Sequence, residues 1–313
     1  MKNRVTQLLD TKFPIALAGM AGISDATLAA AVSEAGGLGT IAGATQTGET
    51  LREEIDRLRH LTTNSFAVNI PLIIPQLSDL VSVVIEKKVP VVITAAGNPG
   101  LYTNRLKEAG IRVLHVVPCA DLARRAETSG VDAVIAEGFE SGGFASPHEI
   151  GALALIPQVV DAVKIPVIAA GGIADCRGYA ACMVLGAEGA SIGTAFLASV
   201  ECTRISSNWK RQIIAGTDIS TKIIGRGVAG LRILMNSTAE MLEKKISDGI
   251  SRNEILSCVQ TANSSETDEG LYPCGQSVGL IRKIQTVREI IEQFVYGSER
   301  LLGKMNSKLS SSK

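Results

Sequence analysis

The stretch from Ile165 to Phe196 constrains the fold more than any other part of the chain. Ile165-Pro-Val-Ile-Ala-Ala170 is an apolar run of strand length that stops at Gly171-Gly172, where the backbone can approach a ligand with no Cβ in the way. Asp175 to Leu185 is helical in pattern, and Gly189-Ala-Ser-Ile192 is a second short strand ending in Gly193-Thr194, an open turn with a hydroxyl. Two neighbouring parallel strands, each ending in glycine before a helix N-terminus, offer paired amide donors to a phosphate dianion. In a (β/α)8 barrel such a pair belongs to strands 7 and 8, on the C-terminal face where active sites lie. Either glycine turn alone fits an ordinary tight βα turn equally well. Together, with six strand candidates upstream, they favour the phosphate site.

Those six candidates recur roughly every 25 to 30 residues, the spacing of repeated βα units. Phe13 to Ala18 is the first, followed by the loop Gly19-Met20-Ala-Gly22, a helix capped at Ser24-Asp25, and its stop at Gly36-Gly37. Strand 2 is Leu38 to Ile41, and the charged helix Glu49 to His60 follows it. Strand 3 is Phe66 to Ile70, with the polar Asn69 near its end, and helix Gln76 to Lys88 comes next. Strand 4 is Pro90 to Thr94, strand 5 Ile111 to Val117, and strand 6 Ala133 to Glu137, with helices Tyr102 to Ala109, Ala120 to Ser129 and Ile150 to Val163 after them. Asn69 and Glu137 break apolar strands at their C-terminal ends, where a ligand in the barrel mouth supplies the partners that buried polar groups need. The loop Gly138-Phe-Glu-Ser-Gly-Gly143 crosses the same face.

Beyond Phe196 the pattern changes to helices of mixed polarity, Arg204 to Ala215, Ala239 to Ser247 and Arg252 to Thr261, with the glycine-rich Gly225 to Gly230 between the first two. Asn263 to Gly270 reads as a surface loop, Val278 to Leu302 as a long helix, and Lys304 to Lys313 as a frayed tail. The expected organisation is a (β/α)8 TIM barrel over 1–200, a small helical lid over 201–270, and 271–313 as a helix closing the barrel ring plus the tail.

Length and composition agree, since 313 residues accommodate one barrel of about 250 residues plus an extension. With 46% hydrophobic residues and 31 glycines the chain suits a large α/β core, and 31 basic against 31 acidic residues give no field for nucleic acid or a membrane surface. The N-terminal residues Met1 to Asp10 lack a signal-like apolar core, and no segment reaches about 18 uninterrupted apolar residues, which points to the cytoplasm. The six cysteines Cys119, Cys176, Cys182, Cys202, Cys258 and Cys274 have no metal-ligand spacing, and no two of the three histidines do; the thiols read as reduced packing residues and no metal site is expected.

A series of motifs in order carries a resemblance: Ala18-Gly-Met-Ala21 with Leu28 to Gly37, Val68-Asn-Ile70, Ala136-Glu-Gly138 with Ser141-Gly-Gly143, Ala169-Ala-Gly-Gly-Ile-Ala-Asp175, and Leu185-Gly-Ala-Glu188 with Ile192-Gly-Thr194. From about Phe13 to Gly297 the chain resembles the flavoprotein family of nitronate monooxygenase, formerly 2-nitropropane dioxygenase, and the flavin-dependent enoyl-acyl-carrier-protein reductase II. The resemblance implies FMN on the barrel mouth, its phosphate at Gly171-Gly172 and Gly193-Thr194, and its ring near Gly19, Met20, Asn69, Glu137, Gly142 and Gly143. Thr94 to Gly100, Val116-Val-Pro118 and Gly275 to Leu280 resemble the reductase branch, which implies NAD(P)H as reductant, a role in fatty acid biosynthesis, an acyl-thioester substrate, acyl carrier protein as partner, and often a homodimer. No residue at a known spacing separates NADH from NADPH.

One position departs from the family. Both branches carry a histidine directly after the Gly-Gly of the strand 6 loop, and here that place is Phe144. Phenyl can neither take an acidic carbon proton nor donate a hydrogen bond. Gly142 and Gly143 remain as amide donors for a developing enolate oxygen. His148, four residues on, either swings into the role or stays a solvated helix-start side chain. Three readings follow: enoyl thioester reduction, oxidation of alkyl nitronates with oxygen, and a flavin-binding protein without catalysis.

Overall fold

Parallel strands covered on both faces read as unbroken apolar runs, and these runs become the barrel staves. The computed structural model describes residues 2–227, 230–251, 254–255 and 270–310. Most of the helix expected over 252–261, most of the loop expected over 263–270, Cys258 and the last three residues lie outside the described residues.

The staves are β1 (Ile15–Leu17), β2 (Gly39–Ala42), β3 (Phe66–Pro71), β4 (Val91–Ala95), β5 (Arg112–Val117) and β6 (Ala133–Glu137); after the two-residue β7 (Gly143–Phe144), which belongs elsewhere, come β8 (Val167–Ala170) and β9 (Gly189–Ile192). All neighbours are parallel, β1 pairs with β9, and an Ala16–Leu38 bridge joins β1 to β2, which closes the ring. Side chains alternate along each stave. Leu38, Ile93, Leu114, Ile135 and Ile168 meet inside the barrel, while Val68, Val92, Val113 and Val134 face outward into the helical layer. The fold is a (β/α)8 barrel.

Helix α1 (Arg4–Leu9) precedes the first stave and plugs the N-terminal end of the barrel with Val5 and Leu9. The outer ring comprises α2 (Ala26–Glu34), α3 (Gly48–Leu61), α4 (Leu77–Glu86), α5 (Thr103–Glu108), α6 (Ala120–Thr128), α7 (Ala152–Ala162) and α8 (Cys176–Val184). After β9 there is only the single turn α9 (Thr194–Leu197), followed by α10 (Ser207–Ala215). The vacant place in the ring is taken by the last helix, α12 (Val287–Ser310), reached after α11 (Ser237–Ser247). It packs on α8 through a Tyr179–Phe294 edge contact and reaches the first stave's entry through Phe13–Tyr296.

Two expectations change here. The last helix starts at Val287, not Val278, because Gln276–Leu280 forms a short 3-10 turn, and it runs on to Ser310 where a frayed tail was expected. The extension is also not purely helical. Strands β10 (Thr221–Ile224), β11 (Leu231–Leu234) and β12 (Tyr272–Pro273) form an antiparallel sheet in which β7 pairs with β11 as well. One face of β11, Leu231 and Ile233, packs with Leu242 of α11; on the other face Leu234 joins the barrel's core cluster. The small sheet therefore lies against the barrel, tied by β7 to the loop that follows β6.

Candidate active site

Register decides which groups reach the mouth. Ala42, Asn69 and Ile93 are lateral neighbours on β2, β3 and β4, and Glu137, Ala170 and Ser191 on β6, β8 and β9. Ile93 and Ala170 belong to the interior cluster, so Asn69, Glu137 and Ser191 point inward with them, at the C-terminal end. The rest of that layer is small: Ala42 and Ala170 leave a wide floor with three hydrogen-bonding side chains on it.

Asn69 Nδ2 donates to the Ile93 carbonyl at 3.1 Å, which fixes the amide and leaves Oδ1 with no donor among the described residues. A Cβ at Gly19 would overlap the Asn69 side chain, so the backbone after β1 lies directly on it. Met20 reaches across to the eighth stave, its sulfur 3.7 Å from where a Gly193 Cβ would stand. Glu137 has its carboxyl pushed up from the ordinary value by burial, opposed by a hydrogen bond with Ser141. The neutral acid form thus persists to higher pH than in a solvated glutamate, and a neutral carboxyl can donate as well as accept.

Both phosphate turns have the expected geometry, with one difference. Gly171 and Gly172 have φ of +85° and +75°, and a Cβ on Gly171 would stand 2.6 Å from the Gly138 carbonyl oxygen. Among the described residues, the amides of Gly172, Ile173, Gly193 and Thr194 donate to no protein group. The N-terminus of α8, however, is already satisfied: the Asp175 carboxylate accepts from the amides of Arg177 at 2.8 Å and Gly178 at 3.3 Å. The donors left for an anion are therefore those of the loop itself. Thr194 Oγ1 accepts the Gly275 amide at 2.9 Å, bringing the segment before the 3-10 turn onto the rim.

The loop after β6 is held from several sides. The Glu140 carboxylate accepts the Ala152 amide with both oxygens at 2.9 Å, capping α7, and its carbonyl accepts the Gln276 amide at 2.9 Å. Gly142 is glycine because the Cys274 carbonyl carbon would lie 2.6 Å from a Cβ there. Its amide makes no hydrogen bond among the described residues, whereas Gly143 is engaged in the β7–β11 ladder opposite Arg232. Phe144 follows, 52% exposed. His148 is exposed in the turn leading to α7, and its recorded hydrogen bond is from its backbone amide to Ser146 Oγ at 3.2 Å. The structure thus gathers Gly19, Met20, Asn69, Glu137, Gly171, Gly172, Gly193 and Thr194 around the mouth, with Gly142 and Gly143 on the covering loop, and leaves His148 on the surface.

Sequence reasoning missed Glu140, Ser141 and Arg232, which hold the covering loop. Charged or hydroxyl residues in a glycine-rich loop gave the only signal. The remaining thiols do not enter: burial pushes Cys182, Cys202 and Cys274 up to about 12, and the five described cysteines are free. Among the described residues no acidic, histidine and cysteine cluster could hold a metal, and no helix is long and apolar enough to cross a membrane.

The seventh and eighth staves end in unbonded amides, beside a mouth floored by small residues and a carboxyl whose pKa burial raises. Free amides suit a phosphate and the alanine floor suits a flat ring, so the donor set fits a flavin mononucleotide. Comparison with known proteins agrees. The nitronate monooxygenase family model matches residues 2–82 and 74–297. A probable nitronate monooxygenase of Staphylococcus aureus (strain N315) is 35% identical over 319 residues, covering 86% of this chain and 89% of the relative. FabK from Thermotoga maritima superposes with a TM-score of 0.93 at 41% identity, over 98% of this chain and 99% of FabK. Nitroalkane oxidase from Streptomyces ansochromogenes gives 0.83 at 28% identity, over 95% and 99%. The chain belongs to the nitronate monooxygenase family and is an oxidoreductase of that flavin-dependent group.

Proposed function

We propose that this protein binds FMN on the barrel mouth and uses NAD(P)H to reduce the carbon–carbon double bond of a trans-2-enoyl thioester, as an enoyl-acyl-carrier-protein reductase II. The observation that carries this reading is the likeness to FabK, 41% identical along 98% of the chain. Phe144, where both branches carry a histidine, argues against oxidation of neutral nitroalkanes, a route that begins by removing a carbon proton and lacks its base there.

When bound, FMN supplies the hydride transfer between reductant and substrate. The chain supplies the setting. The amides of Gly172, Ile173, Gly193 and Thr194 would hold the phosphate. Asn69 Oδ1 and the Glu137 carboxyl would hydrogen-bond polar edges of the ligand, with burial raising the Glu137 pKa and so favouring its neutral form. Gly142, whose amide is free, is the better placed of the two glycines to stabilise negative charge building on a thioester oxygen, since Gly143 is committed to the small sheet. The Cys274–Gly275 segment, packed on Gly142 and tied to Thr194, would keep water from the covered side.

A second reading is favoured by the family model and by the Staphylococcus relatives: oxidation of alkyl nitronates, substrates already ionised and so in no need of a base. Anaerobic stopped-flow reduction of the yellow protein separates the two. Rapid bleaching by NADH or NADPH, followed by reoxidation with crotonyl thioester, is expected. Bleaching by propionate 3-nitronate alone would overturn the proposal in favour of the second reading, and slow response to every reductant would leave a flavin-binding protein without catalysis.

A further inference from the structure

Arg232 on β11 is 4% exposed, on the face of the small sheet turned to the barrel, and among the described residues no carboxylate lies within ion-pair distance of it. Its guanidinium is spent on one loop. Nε and Nη2 both donate to the Phe139 carbonyl, at 3.3 and 3.2 Å, and its carbon stands 5.2 Å from the centre of the Phe139 ring. Nη1 donates to Thr221 Oγ1 of β10 at 3.4 Å. The backbone of the same residue pairs with Gly143. One residue thus grips the covering loop at both ends, Phe139 by its side chain and Gly143 by its main chain. Between those points lie Ser141, the partner of the Glu137 carboxyl, and Gly142, the free amide.

Burying a guanidinium with no carboxylate in ion-pair contact is costly: burial lowers its pKa, the nearby Glu140 charge offsets part of that, and Arg226, which stands 5.4 Å from the same ring and is ion-paired with Glu149, adds repulsion. What an apolar side chain at this place would not do is hold a carbonyl by a rigid two-pronged fork.

We propose that Arg232 is a positioning residue: it clamps the Phe139–Gly143 loop against the small sheet so that Ser141 and the Gly142 amide stand over Glu137 in the geometry the reaction needs. This rests on the reading of the barrel mouth as the flavin redox site. It makes the extension after the eighth stave part of the catalytic apparatus and not only a cover.

The test compares wild type with R232M and R232K. Hydrogen exchange followed by mass spectrometry reads the loop directly, with or without flavin. R232M should exchange the amides of 138–144 at least tenfold faster, with peptides from β1 to β5 unchanged. In steady-state turnover, R232M should lose on the order of 100-fold in kcat with KM for the thioester altered less than threefold, because orientation and not uniform binding is lost. R232K restores the charge without the fork and should recover exchange protection only in part. Wild-type exchange in R232M, or equal falls in kcat and in thermal stability that R232K fully rescues, would overturn the proposal. If R232M does not fold, faster loop exchange in R232K upholds the clamp and unchanged exchange overturns it. A wild-type protein that binds flavin but reduces no thioester would instead refute the proposed function, and the exchange result would still stand.

Discussion

His115 should make the fold acid-sensitive by an amount the structure sets. It lies on the outer face of β5 under the helical layer, with Nδ1 2.7 Å from Thr94 Oγ1. The Thr94 hydroxyl has one hydrogen, and it is given to the Leu114 carbonyl at 3.0 Å. The ring therefore donates from Nδ1 to the threonine oxygen. Burial holds its pKa down to about 4, against an ordinary value of 6.5. A depressed histidine contributes stability that is fully present above the unfolded value and is lost as pH falls toward the folded value. The window is therefore pH 6.5 down to about 4, worth about 3 kcal/mol in all, and about 2 kcal/mol of it should go between pH 7.5 and pH 5. Trp209, the single tryptophan and buried, reports urea unfolding of the flavin-free protein at both pH values. His115→Leu should lose about 1 kcal/mol at neutral pH with the Thr94 bond, but should shed about 2 kcal/mol less than wild type on acidification. The difference between the two proteins cancels every other titrating group. Equal acid losses in the two would refute the reasoning that burial keeps this ring neutral.

Three further outcomes test the mouth. Gly171→Ala places a Cβ 2.6 Å from the Gly138 carbonyl oxygen at a φ of +85°, so it should cost about 2–4 kcal/mol and at least tenfold in flavin retention, read by thermal unfolding and released flavin fluorescence; a stable yellow variant would contradict the cradle. Glu137→Gln should flatten any inflection in the pH dependence of kcat above the ordinary glutamate range, because it fixes the neutral hydrogen-bonding form that burial favours; an unchanged profile would remove Glu137 from the reaction. Phe144→His restores an imidazole on the exposed loop and should raise turnover of neutral nitroalkanes about 100-fold relative to their nitronates; no change would show that the missing base is not what limits that chemistry.

Local signals carried the barrel and long-range contacts built the cover over it. Ala133 to Glu137 and Val167 to Ala170 could be read as staves because strands buried on both faces are apolar throughout, and Gly171-Gly172 because only glycine tolerates both the positive φ and the Gly138 backbone beside it. The start of the last helix was also written locally, since Thr286 and Glu289 form a capping box: the Thr286 amide donates to Glu289 Oε2 at 2.7 Å and the Glu289 amide to Thr286 Oγ1 at 3.2 Å. The apolar Val278-Gly-Leu-Ile281 just before it masked that signal. Strands β10 and β11 gave no comparable sign, for each has four residues and a glycine-rich turn separates them. Their stability comes from partners about 90 positions away in sequence, Gly143 against Arg232 and the Phe139 carbonyl under the same guanidinium. Such contacts leave no period in the chain. On the proposed reading the barrel motifs would hold a phosphate and a flat ring, whereas the cover over the mouth is built by Glu140, Cys274, Gly275 and Arg232 meeting from three separate segments. A family that keeps its barrel motifs while changing the chemistry has its freedom in that cover, and Phe144 stands in it.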